Sequence, residues 1–406
     1  MSSVIENTCT EHSRSIPDGW VETTLGEVCE ITSAKRIFAK EYKTFGIPFF
    51  RGKEVTEKYN GNEVSTELFI TREKYEEIKE KYGVPVYNDI LLTSVGTLGN
   101  PYLVEKDFEF YFKDGNLTWF KNFNKIDSKY LFYWIVSPQG KENLSHARIG
   151  STQQAYTMTA LKRVEIVKPP LPEQKAIANI LTAFDDKIEN LQAQNKTLEQ
   201  TAQTIFKEWF GKYQVGDELP DGWRVGKLGD VIEIFDSQRI PLSKSQREEK
   251  KGEFRYYGAT SIMDYVDEYL FDGIYLLLAE DGSVMDDEGY PFLQYVWGKF
   301  WVNNHAHILT GKYGFSTEIL YLFCKQMKVA GIVTGAVQLK INQKNLLGFE
   351  LVIPPEQNLA ELDKLIQSFF QKVRLNSDQI EYLKKTRDTL LPKLMSGQLR
   401  VNEFKA

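Results

Sequence analysis

Two long stretches of the chain, 173–210 and 356–391, contain neither glycine nor proline. Apolar side chains recur along both at alternating intervals of four and three residues, which is typical of a coiled-coil seam. The pattern predicts two continuous helices, each about 55 Å long at a rise of 1.5 Å per residue. Pro392 is expected to end or kink the second helix.

Each predicted seam carries one central asparagine, Asn195 in the first helix and Asn376 in the second. A single short stripe is typical of an ordinary core helix, but two stripes of equal length each need an apolar partner. We therefore predict an antiparallel coiled coil with Asn195 opposite Asn376, so that the two buried amides bond each other. The seam positions are Ile177, Leu181, Phe184, Ile188, Leu191, Asn195, Leu198, Ile205 and Trp209, then Leu362, Ile366, Phe369, Val373, Asn376, Ile380, Leu383 and Leu390.

The sequence also contains an internal repeat. The tripeptide Asp-Gly-Trp at 18–20 returns 203 residues later at 221–223, and the Pro-Pro pair at 169–170 returns 185 residues later at 354–355. Between these markers, short β-rich runs punctuated by Gly and Asn alternate with helical stretches. The predicted fold class is α+β, with two globular domains of similar fold, two long helices, and a pseudo-two-fold tandem repeat. The predicted segments are a tail at 1–15, a globule at 16–170, a helical region at 171–213, a globule at 214–354, a helical region at 355–397 and a tail at 398–406.

Composition limits the classes of protein to which this chain can belong and its cellular location. Its 406 residues carry a net charge of −6, which argues against a protein that coats nucleic acid but does not exclude a local basic groove. Cys9, Cys29 and Cys324 are too widely spaced for a disulfide framework, and no apolar run resembles a signal sequence or a membrane span. A cytoplasmic location is predicted.

The helix starts Pro-Glu-Gln at 172–174 and 355–357, the Asp-Gly-Trp openings at 18–20 and 221–223, and the terminal motif at 394–399 carry a further signal. Together they resemble the DNA specificity subunit of type I restriction-modification systems, over essentially the whole chain. The resemblance implies two target recognition domains that each read half of a split DNA sequence. It also implies that the helical regions pair and set the spacing of the domains, that methyltransferase subunits dock on them, and that restriction/translocase subunits join this core.

The physical pattern is compatible with this reading. A rod of about 55 Å is roughly one and a half turns of duplex DNA, so globules at its ends can reach separate sites. Because the globules differ in sequence, the two-part target is expected to be asymmetric.

Base reading needs side-chain donors and acceptors on loops, and phosphate contacts need cations and backbone amides. Candidates occupy matching places in the two globules. In the first they are Lys35, Arg36, Arg51, Lys53, Thr93, Ser94, Gly96, Thr97, Arg148, Ser151, Thr152 and Gln153. In the second they are Gln238, Arg239, Tyr256, Tyr257, Thr260, Ser261, Asp281, Ser283, Asn304, His305, Gln338 and Lys340.

Catalytic and cofactor motifs are missing from the sequence. His305 and His307 have a spacing that a metal site can use, but we expect no Cys, Asp or third His to cluster with them, and therefore a structural or DNA-facing role and no metal or cofactor. No nuclease carboxylate cluster, Ser-His-Asp pattern or methyltransferase motif is found, so the chain is expected to be non-catalytic. Two other hypotheses remain: a coiled-coil scaffold that reads no sequence, and a stand-alone DNA methyltransferase with degenerate motifs.

Overall fold

The computed structural model describes residues 16–150, 154–335 and 337–401. The chain divides into two compact units, of which the first runs to Ile188 and resumes at Tyr382, and the second comprises Glu189–Glu381. Each unit therefore contains one globule together with part of both long helices.

The first unit is a mixed α+β globule. Its strands are β1 Val21–Thr24, β2 Glu30–Thr32, β3 Ile47–Phe50, β4 Phe69–Ile70, β5 Ile90–Thr93, β6 Pro101–Leu103, β7 Tyr111–Phe112, β8 Leu117–Lys121, β9 Arg148–Ile149, β10 Ala155–Tyr156 and β11 Glu165–Lys168. Its helices are α1 Leu25–Val28, α2 Gly52–Tyr59, α3 Arg72–Tyr82, α4 Ser128–Val136, α5 Pro138–Ser145, α6 Met158–Lys162 and the first part of α7 Leu171–Phe210.

Two apolar layers hold this first globule together. The antiparallel sheet β2-β8-β5-β6 packs on α4 and on the start of α7, where Phe120, Trp134 and Ile177 share one core. A second core, rich in phenylalanine, lies around β3 and β7, which pair in parallel. The loops at one end of the sheet are thereby held on a rigid support.

The second unit repeats this plan with longer strands. Its strands are β12 Arg224–Lys227, β13 Ile232–Ile234, β14 Lys251–Tyr257, β15 Ile262–Val266, β16 Phe271–Ala279, β17 Leu293–Val302, β18 Ala306–Gly311 and β19 Glu350–Ile353. Its helices are α8 Leu228–Val231, α9 Lys244–Glu249, α10 Thr317–Cys324, α11 Gln343–Leu347 and part of α12 Glu356–Met395. Strands β13-β18-β16-β17-β14-β15 form one sheet, and Leu278 of β16, Ile319 of α10 and Ile366 of α12 share its main core.

The tandem repeat predicted from sequence is confirmed in the backbone. Strands β1 and β11 pair antiparallel with Val21 opposite Lys168, and β12 and β19 pair antiparallel with Arg224 opposite Ile353. These partners are related by the same offsets of 203 and 185 residues that the sequence repeat shows. The fold class is therefore as predicted, whereas the six predicted segment boundaries stay a prediction.

The long helices run antiparallel within each unit. In the first unit, Asp185 of α7 pairs with Arg387 of α12 at 2.5 Å, and Glu173 pairs with Arg400, just beyond α12, at 2.6 Å. The two helices therefore run in opposite directions, because the residues that face successive positions of α7 have decreasing numbers.

The second unit shows the predicted asparagine pair directly. Asn376 Nδ2 donates to Asn195 Oδ1 at 2.9 Å, and Asn195 Nδ2 donates to Ser377 Oγ at 3.0 Å and to the Val373 carbonyl at 3.3 Å. Asn376 is buried, and its Oδ1 has no hydrogen-bond partner among the described residues. The predicted register is confirmed, at the cost of one unsatisfied buried acceptor.

Most predicted seam positions face inward. Ile177, Leu181, Ile188, Leu191, Leu362, Ile366, Val373, Asn376 and Ile380 are buried, and Phe184, Asn195, Leu198, Ile205, Phe369, Leu383 and Leu390 are half-buried. Trp209 was predicted wrongly, because it is 39% exposed and Phe206 is buried in its place. A helix with 3.6 residues per turn drifts from a 3.5-residue seam, and in this region α7 packs on the globule of its own unit.

Pro392 does not end the second helix. Helix α12 continues through it to Met395, with Leu391, Leu394 and Met395 all buried in the first unit's core. Apolar burial of this last turn offsets the hydrogen bond that proline cannot donate.

Gln174 ties the start of α7 to the first globule. Its fully buried amide accepts from the Asp127 backbone N–H at 2.8 Å and donates to the carbonyls of Pro169 at 2.8 Å and Lys125 at 3.3 Å. Its counterpart in the repeat, Gln357, is exposed. One amide of the two Pro-Glu-Gln motifs is therefore structural and the other is not.

This asymmetry gives a matched test. Gln174→Leu is expected to lower the free energy of unfolding by about 2–4 kcal/mol, because it leaves partly buried backbone groups without partners. Gln357→Leu should change it by no more than about 0.5 kcal/mol. Denaturant unfolding of the full chain measures both, and equal effects would contradict the structural role of Gln174.

Candidate nucleic-acid interface

A tight turn follows β5 in the first unit. Gly96 and Gly99 have positive φ angles of 81° and 86°, and the Gly99 amide donates to the Thr93 carbonyl at 2.9 Å. Gly96 and Thr97 are exposed at the tip of this turn. Glycine is required for the positive φ and leaves the backbone open to a close approach by another molecule.

Thr93 and Ser94 are not available to DNA, contrary to the sequence prediction. Both are buried, and Ser94 Oγ shares a 2.7 Å hydrogen bond with Thr118 Oγ1. Their hydroxyl groups are used to hold the base of the turn, which sequence alone does not distinguish from its tip.

A second hairpin of the first unit lies against this turn. Val95 forms an isolated β-bridge with Ala155, which begins β10, and the exposed Arg148 lies on the paired strand β9. The predicted contacts Ser151, Thr152 and Gln153 lie outside the described residues. The strand that carries Arg148 and the turn at 94–99 are therefore joined through β10, and a DNA contact by Arg148 stays a prediction.

Lys35 and Arg36 reach the same region through the chain segment before β8. Arg36 Nε donates to Asp114 at 2.7 Å, and two residues later the Asn116 carbonyl accepts from the Ser94 amide at 2.8 Å. Lys35 and Arg36 are both exposed. The segment 114–116 therefore links Arg36 to the turn after β5.

Arg51 has an internal partner. Its guanidinium pairs with the fully buried Glu54 at 2.7 Å, and this hydrogen bond raises the pKa of Arg51 further above its usual value. The prediction of a DNA contact is therefore not favoured by its geometry, since release of Arg51 would strand a buried carboxylate. Lys53, two residues away, is exposed and stays a prediction.

The second unit has the equivalent turn. Asp281 forms an isolated β-bridge with Lys340, and this pair corresponds in the repeat to Val95 and Ala155 of the first unit. Gly282 has a φ of 81°, and its amide donates to the Leu339 carbonyl at 3.0 Å. The same two chain segments are therefore joined in both units.

Two further segments meet this turn. The Glu280 amide donates to the His305 carbonyl at 2.8 Å, and Arg239 Nη1 donates to the carbonyls of Ala306 at 2.9 Å and Asn304 at 3.4 Å. The predicted contacts that are exposed in this unit are Gln238, Thr260, Ser261, Ser283, Asn304, Gln338 and Lys340.

Three predicted contacts in this unit are internal. Tyr256 and Tyr257 are buried in separate apolar cores, and Tyr256 Oη accepts from the Leu242 amide at 2.9 Å. They belong to β14, which is covered on both faces, so alternation along the strand exposes neither. The Arg239 side chain is only 14% exposed and is ion-paired.

Arg239 belongs to a cluster that we call the charge hub, consisting of Asp236, Arg239, Glu280, His307 and Lys340. Arg239 Nη1 and Lys340 Nζ contact the two carboxylate oxygens of Glu280 at 2.6 and 3.2 Å, and His307 Nδ1 lies 2.6 Å from Asp236 Oδ2. The hub connects the segments at 236–239, 280–281, 306–307 and 340–341.

Both hub carboxyls are held in their charged form. Burial raises the pKa of Asp236, but the hydrogen bond and charge of His307, the Ile308 amide and Arg239 outweigh it, so the pKa lies below its usual value. Burial likewise raises the pKa of Glu280, and Arg239, His307 and Lys340 bring it below its usual value.

The prediction that no acidic residue joins the two histidines is wrong in three dimensions. Asp236 and Glu280 bring ligand-type atoms within 4.8 Å of those of the buried His307, while His305 is half-exposed and contacts Asp281 at 2.5 Å. The acidic partners lie too far away in sequence for a spacing pattern to reveal them. Arg239 and Lys340 already neutralise Glu280, so the hub is a network of ion pairs.

Within the parts of the chain that the structure describes, no helix is long and apolar enough to cross a membrane. Two copies of one α+β plan, each with polar turns gathered at matching places, define a tandem-repeat protein with two candidate nucleic-acid-reading heads.

The chain belongs to the family of type I restriction modification DNA specificity domains, whose sequence profile matches residues 17–200 and 220–387. Proteins of this family are specificity subunits and not the catalytic subunits of their complexes.

Individual relatives agree with this assignment. The chain is 28% identical to the type I restriction enzyme MjaIX specificity subunit of Methanocaldococcus jannaschii, over 96% of this chain and 95% of the relative. It is 24% identical to the putative MjaX specificity subunit of the same organism, over 95% of each chain. The crystal structure of the S subunit of a type I restriction-modification system from M. genitalium has the same fold, with a TM-score of 0.58 and 20% identity over 92% of this chain and 96% of that one.

The lowered carboxyl pKa values predict acid sensitivity of the second unit. A carboxyl with a depressed pKa in the folded protein stabilises above its unfolded value of about 4, and this stability is lost as the pH falls through the folded value. Below about pH 4, the midpoint temperature of unfolding should therefore decrease more steeply for the wild type than for Asp236→Asn, which lacks one such group. Thermal unfolding between neutral and acidic pH measures this, and parallel curves for the two proteins would refute it.

Proposed function

We propose that the chain reads DNA sequence for a type I restriction-modification complex, and that its target is asymmetric and split into two parts, one for each unit. The observation that carries this proposal is the repeated turn. The bridges Val95–Ala155 and Asp281–Lys340 hold the same two segments together in each unit, while the side chains around them differ. One scaffold with two different sets of exposed groups is suited to reading two different sequences.

The first unit supplies a cationic set. Lys35, Arg36, Lys53 and Arg148 are exposed in the unit whose turn carries Thr97. The Arg148 side chain makes no hydrogen bond or ion pair to another described residue, and its guanidinium is suited to a bidentate contact with guanine or with a phosphate.

The second unit supplies an amide set. The side chains of Gln238, Asn304 and Gln338 are exposed and make no hydrogen bond to the described part of the chain. Asn and Gln amides match the N6 and N7 edge of adenine in the major groove. We therefore infer that this unit discriminates through amides and hydroxyls more than through cations.

The two long helices are proposed to set the length of the unread spacer. Each is a continuous helix of 40 residues, and their pairing register is specified by the Asn195–Asn376 contact. A paired helix cannot shorten without losing buried seam residues, so it is suited to keep a constant distance.

The partners follow from the family. We propose that methyltransferase subunits bind this chain and that restriction/translocase subunits join them, while the chain itself performs no chemistry. The net charge of −6 implies that binding of DNA by the isolated chain is weak and salt-sensitive, with partners completing the contacts. A cytoplasmic location is proposed with this role, and the buried, unpaired Cys29 and Cys324 are compatible with it.

The test is methylation mapping of genomic DNA from cells that produce the full chain together with its methyltransferase subunits, with cells lacking the chain as the control. We expect one two-part asymmetric motif that depends on the chain. Methylation that is unchanged without the chain would favour the alternative of a scaffold that reads no sequence.

The two units should be separable by mutation. Arg148→Ala should relax one half of the motif, and Gln338→Ala combined with Asn304→Ala should relax the other, by about tenfold in preference per lost base contact. Each variant serves as the control for the other. If both variants relax the same half, the assignment of one half-site to each unit is wrong.

The spacer should respond to helix length. Deleting 188–194 and 377–383 together removes one heptad from each helix while preserving the seam, which shortens each by about 10 Å, or roughly three base pairs. Methylation mapping should then give unchanged half-sites with a shorter spacer. Deleting 188–194 alone breaks the pairing and should abolish the motif, and an unchanged spacer in the double deletion would contradict the proposal.

A further inference from the structure

The charge hub is connected to the three segments that carry the exposed amides of the second unit. Gln238 precedes Arg239, Arg239 Nη1 donates to the Asn304 carbonyl at 3.4 Å, and Gln338 lies two residues before Lys340. Every segment that presents one of these amides is thus attached to a hub residue or contains one.

Glu280 is the centre of the hub. Its two carboxylate oxygens receive separate cations, Arg239 at 2.6 Å on Oε2 and Lys340 at 3.2 Å on Oε1. Its backbone N–H donates to the His305 carbonyl and its carbonyl accepts from the Ile341 amide, both at 2.8 Å. A single residue therefore holds three other segments by four contacts.

His307 connects two more segments of the hub through its ring nitrogens. Its Nδ1 faces Asp236 Oδ2 at 2.6 Å and its Nε2 faces the Ile341 carbonyl at 2.8 Å. The two ring nitrogens thus face acceptors on two different segments, and the ring joins 236 to 341. The segment carrying Gln338 is thus anchored at Lys340 by its side chain and at Ile341 by its backbone.

We propose that Glu280 is a positioning residue for sequence reading, which fixes the segments that carry Gln238, Asn304 and Gln338 as one preorganised surface through Arg239 and Lys340. This proposal rests on the proposed function and assigns a determinant of specificity within it. Because Glu280 itself is largely buried, it acts through its neighbours and touches no base.

Simple electrostatics makes the opposite prediction, which sharpens the test. Removing a carboxylate from a DNA-binding surface should strengthen attraction to any duplex, because one repulsion with phosphate is lost. If Glu280 preorganises the reading segments, its removal should instead weaken binding to the correct target. The two effects differ in sign for the target duplex.

Glu318 provides a matched control in the same unit. It is also a buried carboxylate, and it accepts hydrogen bonds from Tyr295 at 2.6 Å, Arg374 at 2.7 Å and Gln367 at 2.8 Å. None of these partners belongs to the segments of the charge hub. Glu280→Gln and Glu318→Gln therefore remove the same charge from two buried ion-pair networks.

The experiment measures binding by the full chain in complex with its methyltransferase subunits. The probes are the duplex found by methylation mapping and the same duplex with either half-site scrambled. Glu280→Gln should lower the preference for the intact second half-site by about tenfold, comparable to loss of one base contact, and leave the first unchanged. Glu318→Gln should retain both preferences.

An unchanged preference in Glu280→Gln, or an equal loss in Glu318→Gln, overturns the proposal while leaving the proposed function intact. A wild-type complex that prefers neither half-site overturns the proposed function itself. If Glu280→Gln lowers the unfolding midpoint more than Glu318→Gln does, both variants are measured at a temperature at which each is fully folded. The same half-site loss is then expected, and an unchanged preference overturns the proposal.

Discussion

The apolar stripe of each 40-residue helix has to be covered along its whole length, and the rest of the structure depends on how this is done. In the first unit, Ile177 and Leu181 of α7 and Leu394 of α12 are part of the globular core. In the second, Leu362 and Ile366 of α12 are part of its core. Each unit therefore uses parts of the long helices as core elements, so a globule cannot detach from its helices without exposing apolar surface.

The asparagine pair explains why this pairing has one register. Apolar seams tolerate a slip by one heptad, since leucine can replace isoleucine opposite another apolar residue. A slip would separate Asn195 from Asn376 and leave both amides buried against apolar groups, which costs more than the acceptor that is left unsatisfied in the observed register. The asparagine pair thus lowers stability slightly but fixes the register, and a fixed register gives the paired segment a defined length. A defined length is the property that a constant spacer requires.

The sequence predicts the long-range plan of this protein better than its local contacts. Repeat offsets and seam spacing were sufficient for the fold class and for the Asn195–Asn376 register, because both depend on periodic patterns. Burial of Thr93 and Tyr256 was missed, because a hydroxyl or phenol at a loop boundary has the same letter whether it faces inward or outward. The charge hub was also missed, since Asp236, Glu280 and His307 come together only through the pairing of β16 with β18 and the turn after β13.

Under the proposed function, the two units contribute differently to DNA recognition. In the first unit Lys35, Arg36, Lys53 and Arg148 are exposed, whereas in the second Arg239 is internal and Lys340 is partly engaged by Glu280. Phosphate attraction, which supplies affinity without sequence information, is therefore expected to come mainly from the first unit and from partner subunits. In the proposed arrangement, the charged groups of the second unit hold neutral amides in place, and neutral amides discriminate bases only when their geometry is fixed. The net acidity of the chain, which argued weakly against nucleic-acid binding, is compatible with a subunit whose task is selection and whose affinity is completed by others.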